Sequence, residues 1–291
     1  MRTYLDCIPC FFRQALGAAK VATDDEGTQR EVLDSVAAMV REFPLDITPP
    51  EIAQRVYRIV YDMTGDNDPY REAKQHSNEM ALALFPRLKE IVESSDDPLL
   101  TACKLAIAGN SIDLAPQVSA GAIGDVIEST LTSPLSYDDY DRFRQSIKNA
   151  SSLLYLADNA GEIVFDKLLI EELRRSFDID ITLAVRSKPI INDATMDDAI
   201  AVGLNQVATV IANGSDAPAT VLSQCSTEFL KCYGSADVII SKGQGNYESL
   251  SGEQANIFFL LRAKCPVVAE PLNLDVGDSI LKGAKNGCGR S

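Results

Sequence analysis

The sequence predicts an α/β protein, with an all-helical N-terminal domain over residues 1–145 and a C-terminal domain over residues 146–291 built on a mainly parallel sheet. In the first part, apolar side chains recur at helical spacing, and no convincing strand precedes Ser152. In the second part, short apolar runs alternate with stretches long enough for a helix. That alternation is typical of a parallel sheet with helical crossovers.

Turns containing glycine or proline separate the predicted helices of the N-terminal domain, which can divide into two subdomains. Glu31–Phe43 carries apolar residues at helical spacing. The pair Pro49-Pro50 opens the next helix, because proline suits a first helical turn. A third helix starts at Asp68-Pro69-Tyr70, and Leu99–Ala108 and Ile123–Leu131 are further predicted helices.

Each predicted strand of the C-terminal domain is followed directly by a polar or charged side chain. The runs predicted as strands are Leu153–Ala157, Ile181–Val185, Val207–Ala212, Val238–Ile240 and Val267–Ala269. Helices are predicted over Ile163–Phe177 and Asp193–Val202, and Gly245–Leu261 is predicted as the crossover helix into the last strand. Ligands of open parallel sheets bind outside the carboxyl ends of the strands, so we expect the polar residues to converge on one crevice.

Composition excludes several classes of partner. The 291 residues carry a net charge of −15, which makes nucleic acid and anionic membranes unfavourable partners. The sequence has no apolar run of about 18 residues and no secretory pattern, so we expect a cytoplasmic protein. An odd number of cysteines, seven, argues against a secreted disulfide framework. An anionic substrate would need a bound cation or a local positive patch.

The first predicted strand is followed by Asp158-Asn159-Ala160-Gly161-Glu162. A carboxylate and an amide at a strand end offer the hard oxygen ligands that Mg²⁺ and Mn²⁺ prefer. The alternative is that Asp158 caps the following helix and that Asn159 is a turn residue. This segment alone does not decide between the two interpretations.

The second predicted strand is followed by Arg186 and, after a short loop, by Asn192-Asp193. Asp193 at a helix start can also be an ordinary N-cap residue. However, two acid–amide pairs at neighbouring strand ends are what a divalent cation requires. Together the two pairs favour a metal site over coincidence.

The fourth predicted strand is followed by Ser241-Lys242 and then by Gly243-Gln244-Gly245-Asn246. The glycines let the backbone approach an anion, and successive N–H groups can form a nest for it. Lys242 adds a charge that can bind a phosphate oxygen or stabilise a pentavalent transition state. The alternative is a plain strand–loop–helix connection with a solvated lysine.

Other familiar chemistries are poorly supported. The sequence has no P-loop fingerprint, and its single histidine, His76, lies in the helical half, where a surface or packing role is favoured. Cys7-Ile8-Pro9-Cys10 has no second pair, and only Cys288 is a candidate for a third thiolate. Structural thiols are favoured here, while metal or disulfide chemistry stays open.

In combination, these segments resemble the signatures of the metal-dependent damage-control phosphatases, a family formerly called domain of unknown function 89. In the second half of the chain, the matching segments are Asp158–Glu162, Asn192–Thr195 and Lys242–Glu248. In the helical half, they are Asp68-Pro69-Tyr70 with Lys74 and Asn78, and Gly109–Asp113. Cys7-x-x-Cys10 resembles the prokaryotic and archaeal branch of the family.

The resemblance implies a helical domain packed on a Rossmann-like, three-layer α/β/α domain that holds one divalent metal, which would be Mn²⁺, Mg²⁺, Co²⁺ or Ni²⁺. By position, Asp158, Asn159 and Asp193 would be the metal ligands and Lys242 a phosphate contact. Family members act on small phosphorylated metabolites, including sugar phosphates and phosphopantetheine-like compounds. The Arg-Thr-x-Lys motif of one branch is absent, which argues against sugar-phosphate specificity.

The predicted function is a metal-dependent phosphatase that hydrolyses a small phosphate monoester. Asp158 and Lys242 are the predicted catalytic residues, and the nucleophile is either a metal-bound water, which we favour, or a carboxylate such as Asp158. The predicted substrate contacts are Arg186, Lys242, Gly243, Gly245 and Asn246 in the crevice, and Lys74, Asn78 and Asn110 in a helical lid over it.

Two further functions stay open: a methyltransferase that uses S-adenosylmethionine, and a non-enzymatic sensor of a phosphorylated metabolite. The methyl donor requires a glycine-rich loop after the first strand and an acidic residue at the end of the second. Asp158-Asn159 and Arg186 at those places suit it poorly. Nothing in the sequence excludes the sensor, and neither the substrate nor the oligomeric state follows from it.

Overall fold

The computed structural model describes residues 1–110 and 120–284, and of residues 120–123 it describes the backbone alone. The predicted motif positions Ser111–Asp113 and the candidate third thiolate Cys288 lie outside the described residues. None of the helices in the described ranges is long and apolar enough to cross a membrane.

The helices of the described residues fall into two groups, before and after residue 152. The N-terminal helices are α1 (Cys7–Ala22), α2 (Glu26–Val40), α3 (Pro49–Thr64), α4 (Arg71–Ser94), α5 (Pro98–Gly109), α6 (Ala120–Thr132) and α7 (Tyr140–Lys148). Those within the sheet region are α8 (Glu162–Ser176), α9 (Met196–Ala201), α10 (Thr227–Ser235), α11 (Gly243–Leu250) and α12 (Pro266–Ala269). Short 3₁₀ turns cover Leu204–Gln206, Leu222–Gln224 and Glu270–Leu272.

Within the residues that the structure describes, the strands form a single sheet. Its strands are β1 (Tyr137–Asp138), β2 (Ser152–Leu156), β3 (Asp180–Val185), β4 (Thr209–Ala212), β5 (Val238–Lys242), β6 (Ile257–Arg262) and β7 (Ser279–Gly283). Their order is β1-β7-β6-β5-β2-β3-β4, and every neighbouring pair is parallel except the antiparallel pair β6 and β7. The predicted α/β fold with a mainly parallel sheet is therefore confirmed.

Local sequence explains where the helices begin. At α3, Oε2 of Glu51 accepts from both the backbone N–H and the hydroxyl of Thr48, which forms a capping box in front of Pro49. At α5, the carboxylate of Asp97 accepts from the backbone N–H of Leu100 at 3.1 Å. These caps satisfy N–H groups that have no partner within the helix.

The prediction for the last strand was wrong. The run predicted as a strand at Val267–Ala269 belongs to α12, because Pro266 occupies its first helical turn. The missing strand is β6, which was predicted as the end of a crossover helix that in the structure stops at Leu250. Five consecutive residues of β6 are buried, so the strand lacks the polar–apolar alternation that marks a half-exposed strand.

The expectation of no strand before Ser152 was also wrong. β1 lies at the end of the predicted helical domain and pairs with β7 at the sheet edge. It spans only two residues, which is too short to give a periodic pattern. Its pairing partner lies far away in the sequence, so local propensity gives no sign of it.

Two of the hydrophobic cores divide the N-terminal helices differently from the predicted domains. Helices α1, α2 and α3 share one core that includes Phe11, Val32 and Val56, and Ile190 of the loop after β3 joins it. Helices α4 and α5 instead pack against α8 and the sheet, and Leu105 and Phe165 belong to one continuous core with the strands. This shared core crosses the boundary predicted between residues 145 and 146.

The strand order creates a crevice next to β2. From β2 the chain continues outward to β3 and β4, and then returns to β5 on the other side of β2. The carboxyl ends of β2 and β5 therefore border the point where the strand order reverses. Open α/β sheets bind their ligands at such a point.

Candidate active site

Asp158 and Gly243 meet where the adjacent parallel strands β2 and β5 end. Gly243 has a φ of 78°, a conformation that L side chains rarely adopt. A Cβ at this position would lie 1.9 Å from Oδ2 of Asp158. The carboxylate can therefore lie against this loop only because the residue is glycine.

The two acid–amide segments pair with each other through their backbones. Asn159 and Asp193 form an isolated antiparallel bridge. Next to it, the backbone N–H of Ala194 donates to the carbonyl oxygen of Asp158 at 2.8 Å. The structure thus brings the segments after β2 and β3 together, as the sequence predicts.

The buried guanidinium of Arg186 contacts both of these acidic residues. Its Nε donates to Oδ2 of Asp193 at 2.6 Å, and its Nη2 lies 3.7 Å from Oδ1 of Asp158. The same Nη2 donates to Oδ1 of Asn246 at 3.4 Å. Arg186 was predicted as a substrate contact. In the structure its guanidinium instead links the carboxylates of Asp158 and Asp193.

Glu162, the first residue of α8, adds a carboxylate that the sequence analysis did not assign to the site. The Nδ2 group of Asn159 donates to Oδ2 of Asp158 at 2.9 Å and to Oε2 of Glu162 at 3.1 Å. Nδ2 of Asn110 donates to the same two oxygens at 3.1 and 2.9 Å. Asn110 was predicted as a substrate contact, whereas in the structure it positions these carboxylates.

Lys242 is completely buried, and three protein oxygens surround its ammonium group. Nζ donates to Oε1 of Glu162 at 2.7 Å, to Oδ1 of Asp166 at 2.6 Å and to the carbonyl oxygen of Ala106 at 2.9 Å. An ammonium group has three donors, so none remains for a phosphate oxygen. Lys242 was predicted as a phosphate contact, but in the structure it is the buried ion-pair partner of Glu162.

The glycine-loop positions Gly245 and Asn246 also have structural roles. Asn246 is fully buried, its Oδ1 accepts from the backbone N–H of Thr220 at 2.7 Å, and its Nδ2 donates to the carbonyl oxygen of Lys242 at 2.8 Å. A Cβ on Gly245 would lie 2.8 Å from the carbonyl oxygen of Pro218. These contacts fix the loop and occupy the Asn246 side chain, which corrects its predicted role as a substrate contact, whereas a backbone contact of Gly245 with substrate stays a prediction.

Lys74 and Asn78, the predicted lid residues of α4, line a cleft of about 690 Å³ beside the site. Oδ1 of Asn78 accepts from the backbone N–H of Gly161 at 2.7 Å, and Nδ2 donates to Asp198 at 3.0 Å. The buried Lys74 ammonium lies 3.4 Å from Asp68 and 3.6 Å from Asp198. Asn78 thus holds the loop after β2, and Lys74 borders the cleft within an ion-pair network.

The site holds more negative than positive charge. Burial raises the pKa of the Asp158 carboxyl well above its usual range, and the charges of Glu162 and Asp193 raise it further. Burial also raises the pKa of Asp193, although Arg186 opposes this. Burial acts on Glu162 in the same direction, but the charge of Lys242 and the hydrogen bonds from Lys242 and Asn110 outweigh it and lower that pKa. An added cation would favour the ionised form of Asp158.

The donor set at this place fits a hard divalent cation. Asp158 and Asp193 offer carboxylate oxygens, and no donor within residues 1–110 and 120–284 reaches the amide oxygen of Asn159. Those same ranges hold no group of three or more His, Cys, Asp or Glu side chains arranged around a metal position. The set proposed from the sequence needs only two carboxylates and one amide, which agrees with the few protein ligands that Mg²⁺ and Mn²⁺ take.

Lys264 is an exposed cation that the sequence analysis missed. It lies just beyond β6, and its backbone N–H donates to Oε1 of Gln244 at 2.8 Å. Burial dominates the pKa values of Asp158 and Glu162, and the charge of Lys264 acts to lower both. The residue was missed because β6 was taken for a helix. Had the strand been recognised, a lysine two residues beyond its end would have been a candidate for the site.

Comparison with known proteins identifies relatives over nearly the whole chain. A damage-control phosphatase of Archaeoglobus fulgidus is 36% identical over 282 residues, which cover 95% of this chain and 97% of that protein. A damage-control phosphatase of Pyrococcus horikoshii is 34% identical over 279 residues, covering 95% and 96% of the two chains. An uncharacterised protein of Methanocaldococcus jannaschii is 37% identical over 285 residues, covering 95% and 93%.

A solved structure has the same fold. The crystal structure of a DUF89 family protein from Pyrococcus horikoshii matches with a TM-score of 0.90 at 33% identity and covers 98% of this chain and 100% of that one. The damage-control phosphatase ARMT1-like domain matches residues 3–280. The chain therefore belongs to the damage-control phosphatase ARMT1-like domain family.

Proposed function

We propose that this chain is a metal-dependent phosphatase that hydrolyses a small phosphate monoester. The observation that carries the proposal is the backbone bridge between Asn159 and Asp193, which places two acidic segments at the point where the strand order reverses. The names of the archaeal relatives support the same reaction class. A cytoplasmic location is part of the proposal and rests on composition.

Asp158, Asn159 and Asp193 are the residues that would hold the metal, with Mn²⁺ or Mg²⁺ proposed first because all three offer oxygen ligands. Once bound, the metal would polarise a phosphoryl oxygen and neutralise its charge. Arg186 keeps the Asp158 and Asp193 side chains near each other through its contacts with both. Two amide groups and Arg186 restrain Asp158, which favours a ligand role for it over that of a nucleophile.

The remaining roles divide between exposed and buried groups. Lys264 is the proposed phosphate contact, since it is exposed and its charge reaches Asp158 and Glu162. Glu162 accepts hydrogen bonds from Lys242 and Asn110, so it is held rigidly next to Asp158. The cleft beside α4 would take the part of the substrate beyond the phosphate group.

The experiment compares the unmodified chain with Asp193→Ala and with Asp34→Ala, which removes an exposed carboxylate on α2. Release of inorganic phosphate from a panel of phosphate monoesters is measured with Mn²⁺, Mg²⁺, Co²⁺, Ni²⁺ or a chelator, and Mn²⁺ binding is measured by calorimetry. Asp193→Ala should lose metal-dependent release and Mn²⁺ binding, while the other two chains keep both.

Undiminished turnover in Asp193→Ala would refute the metal role of this residue. Tight binding of S-adenosylmethionine without any metal requirement would favour a methyltransferase instead. If the unmodified chain bound phosphorylated compounds without releasing phosphate under any of these conditions, the result would favour a sensor.

A further inference from the structure

The loop between β3 and α9 contains a strained residue. Ile191 has a φ of 47°, and among residues 1–110 and 120–284 the only other non-glycine residue with a positive φ is Asn273. Glycine and asparagine adopt this left-handed region readily, whereas a β-branched side chain rarely does. Such a conformation persists only where the surrounding structure holds it, and it is frequent at functional sites. Asp193, a proposed metal ligand, lies two residues further along the chain.

The strained residue lies in a turn that leads directly into the candidate metal site. The backbone N–H of Asp193 donates to the carbonyl oxygen of Ile190 at 3.0 Å, which closes a β-turn with Ile191 as its first central residue. The next N–H, that of Ala194, donates to the carbonyl oxygen of Asp158 at 2.8 Å. A change of φ at Ile191 would therefore rotate the backbone immediately before Asp193.

A hydroxyl group from the helical half holds this turn. The backbone N–H of Ile191 donates to Oη of Tyr61, a buried residue in the last turn of α3, at 3.1 Å. Burial raises the pKa of the Tyr61 hydroxyl above its usual range, and the charge of Asp193 acts in the same direction. The hydroxyl therefore stays neutral and keeps lone pairs that can accept the hydrogen bond.

Apolar packing attaches the same turn to the same group of helices. The side chain of Ile190 is 2% exposed and belongs to the core of α1, α2 and α3, together with Val56 and Tyr57. The half-buried side chain of Ile191 packs against this core. The turn thus follows a strand of the sheet in sequence, but its apolar side chains belong to the helical core.

We propose that Tyr61 is a positioning residue for the candidate metal site. Through the backbone of Ile191 it keeps the turn in its strained conformation and thereby holds Asp193 where it can share a cation with Asp158. Tyr61 itself contacts neither the metal nor the substrate in this scheme. The metal-related part of the inference rests on the proposed function, whereas the effect of Tyr61 on the turn does not.

The first test compares the unmodified full chain with Tyr61→Phe and Tyr140→Phe. Tyr61→Phe removes one hydroxyl and keeps the ring in the core, and Tyr140→Phe removes a buried hydroxyl on α7 that donates to Asp97 at 2.7 Å. Calorimetry measures the Kd for Mn²⁺, and urea unfolding of the metal-free chains measures stability separately.

We expect Tyr61→Phe to raise the Kd for Mn²⁺ about tenfold or more, the lower end of the effects seen when outer partners of metal ligands are removed. Tyr140→Phe should bind Mn²⁺ like the unmodified chain, even if its stability falls equally. A Kd for Mn²⁺ that stays unchanged in Tyr61→Phe would overturn the proposal.

A rescue experiment separates positioning from a general loss of stability. Asparagine adopts a positive φ more readily than isoleucine and is common in the central positions of such turns, so a turn with Ile191→Asn needs the hydroxyl less. The double variant Tyr61→Phe, Ile191→Asn should therefore bind Mn²⁺ more tightly than Tyr61→Phe, although it loses apolar contacts with the helical core. Binding that is equally weak or weaker in the double variant would exclude a role through the conformation of Ile191.

Hydrogen exchange of the metal-free chain distinguishes a failure of this inference from a failure of the proposed function. Peptides that contain Asp193 and Ala194 should exchange faster in Tyr61→Phe than in the unmodified chain or in Tyr140→Phe. If they did so and the unmodified chain bound no metal, the metal site would fail, while the effect of Tyr61 on the turn stood. If exchange and Mn²⁺ binding were both unchanged in a chain that releases phosphate, the inference would fail and the phosphatase proposal would stand.

Discussion

Replacing Gly243 with alanine displaces one carboxylate of the active site without removing any charged group. The added Cβ would lie 1.9 Å from Oδ2 of Asp158, whereas ordinary contacts of a Cβ begin at 3.4 Å. To restore such a contact, the carboxylate has to move by about 1.5 Å, taken as the difference between these two distances. The backbone at φ 78° adds a penalty of about 1–2 kcal/mol for a non-glycine residue.

A misplacement of about 1 Å in an active site can reduce activity roughly 100-fold. We therefore expect Gly243→Ala to lower kcat/KM for Mn²⁺-dependent phosphate release by about two orders of magnitude. The assay follows inorganic phosphate under initial-rate conditions, and urea unfolding reports the change in stability separately.

Gly65 provides a matched control at the end of α3. It has a φ of 73°, and a Cβ there would meet no atom within 4 Å. Gly65→Ala should therefore carry the same backbone penalty, of about 1–2 kcal/mol, while kcat/KM remains that of the unmodified chain. Equal kcat/KM values for the two variants would refute the reasoning, because only Gly243→Ala displaces Asp158.

Two further substitutions separate the roles of the two lysines. Lys242→Met leaves Glu162 and Asp166 buried without their ammonium partner, so it should lower the free energy of unfolding by about 3–5 kcal/mol in a urea titration. Unchanged stability would mean that this ion pair is not a structural one. Lys264→Ala removes an exposed charge, so it should raise KM and weaken inhibition by inorganic phosphate while the unfolding midpoint stays constant. An unaltered KM would exclude Lys264 as the phosphate contact.

The sequence was sufficient to predict the family and the α/β fold, both of which are confirmed, and the names of the relatives support the predicted phosphatase function. Strands β2 to β5 were found because each is an apolar run followed by a polar residue and then a helix. The positions of the strand ends were enough to predict that the segments of Asp158 and Asp193 lie together, because neighbouring parallel strands end at the same edge of the sheet. The metal ligand set itself stays a prediction.

The direction of buried side chains could not be read from the sequence. Lys242 and Arg186 have the charge that a phosphate site needs, but their partners lie on other elements, and both prove to be neutralised within the protein.

The strand β6 was not recognised for a different reason. A strand that is buried on both faces has the same continuous apolar pattern as the end of a buried helix, and Lys264 was lost together with it.

The continuous core shared by α4, α5, α8 and the strands means that the C-terminal half cannot be excised as an independent unit. A fragment starting at residue 146 would expose the apolar side chains that Leu105 and its neighbours now cover. Such a fragment should aggregate when produced alone. Deletion of α1–α3 would also uncover Ile190 in the loop that carries Asp193, so neither part of the molecule should fold as an autonomous enzyme.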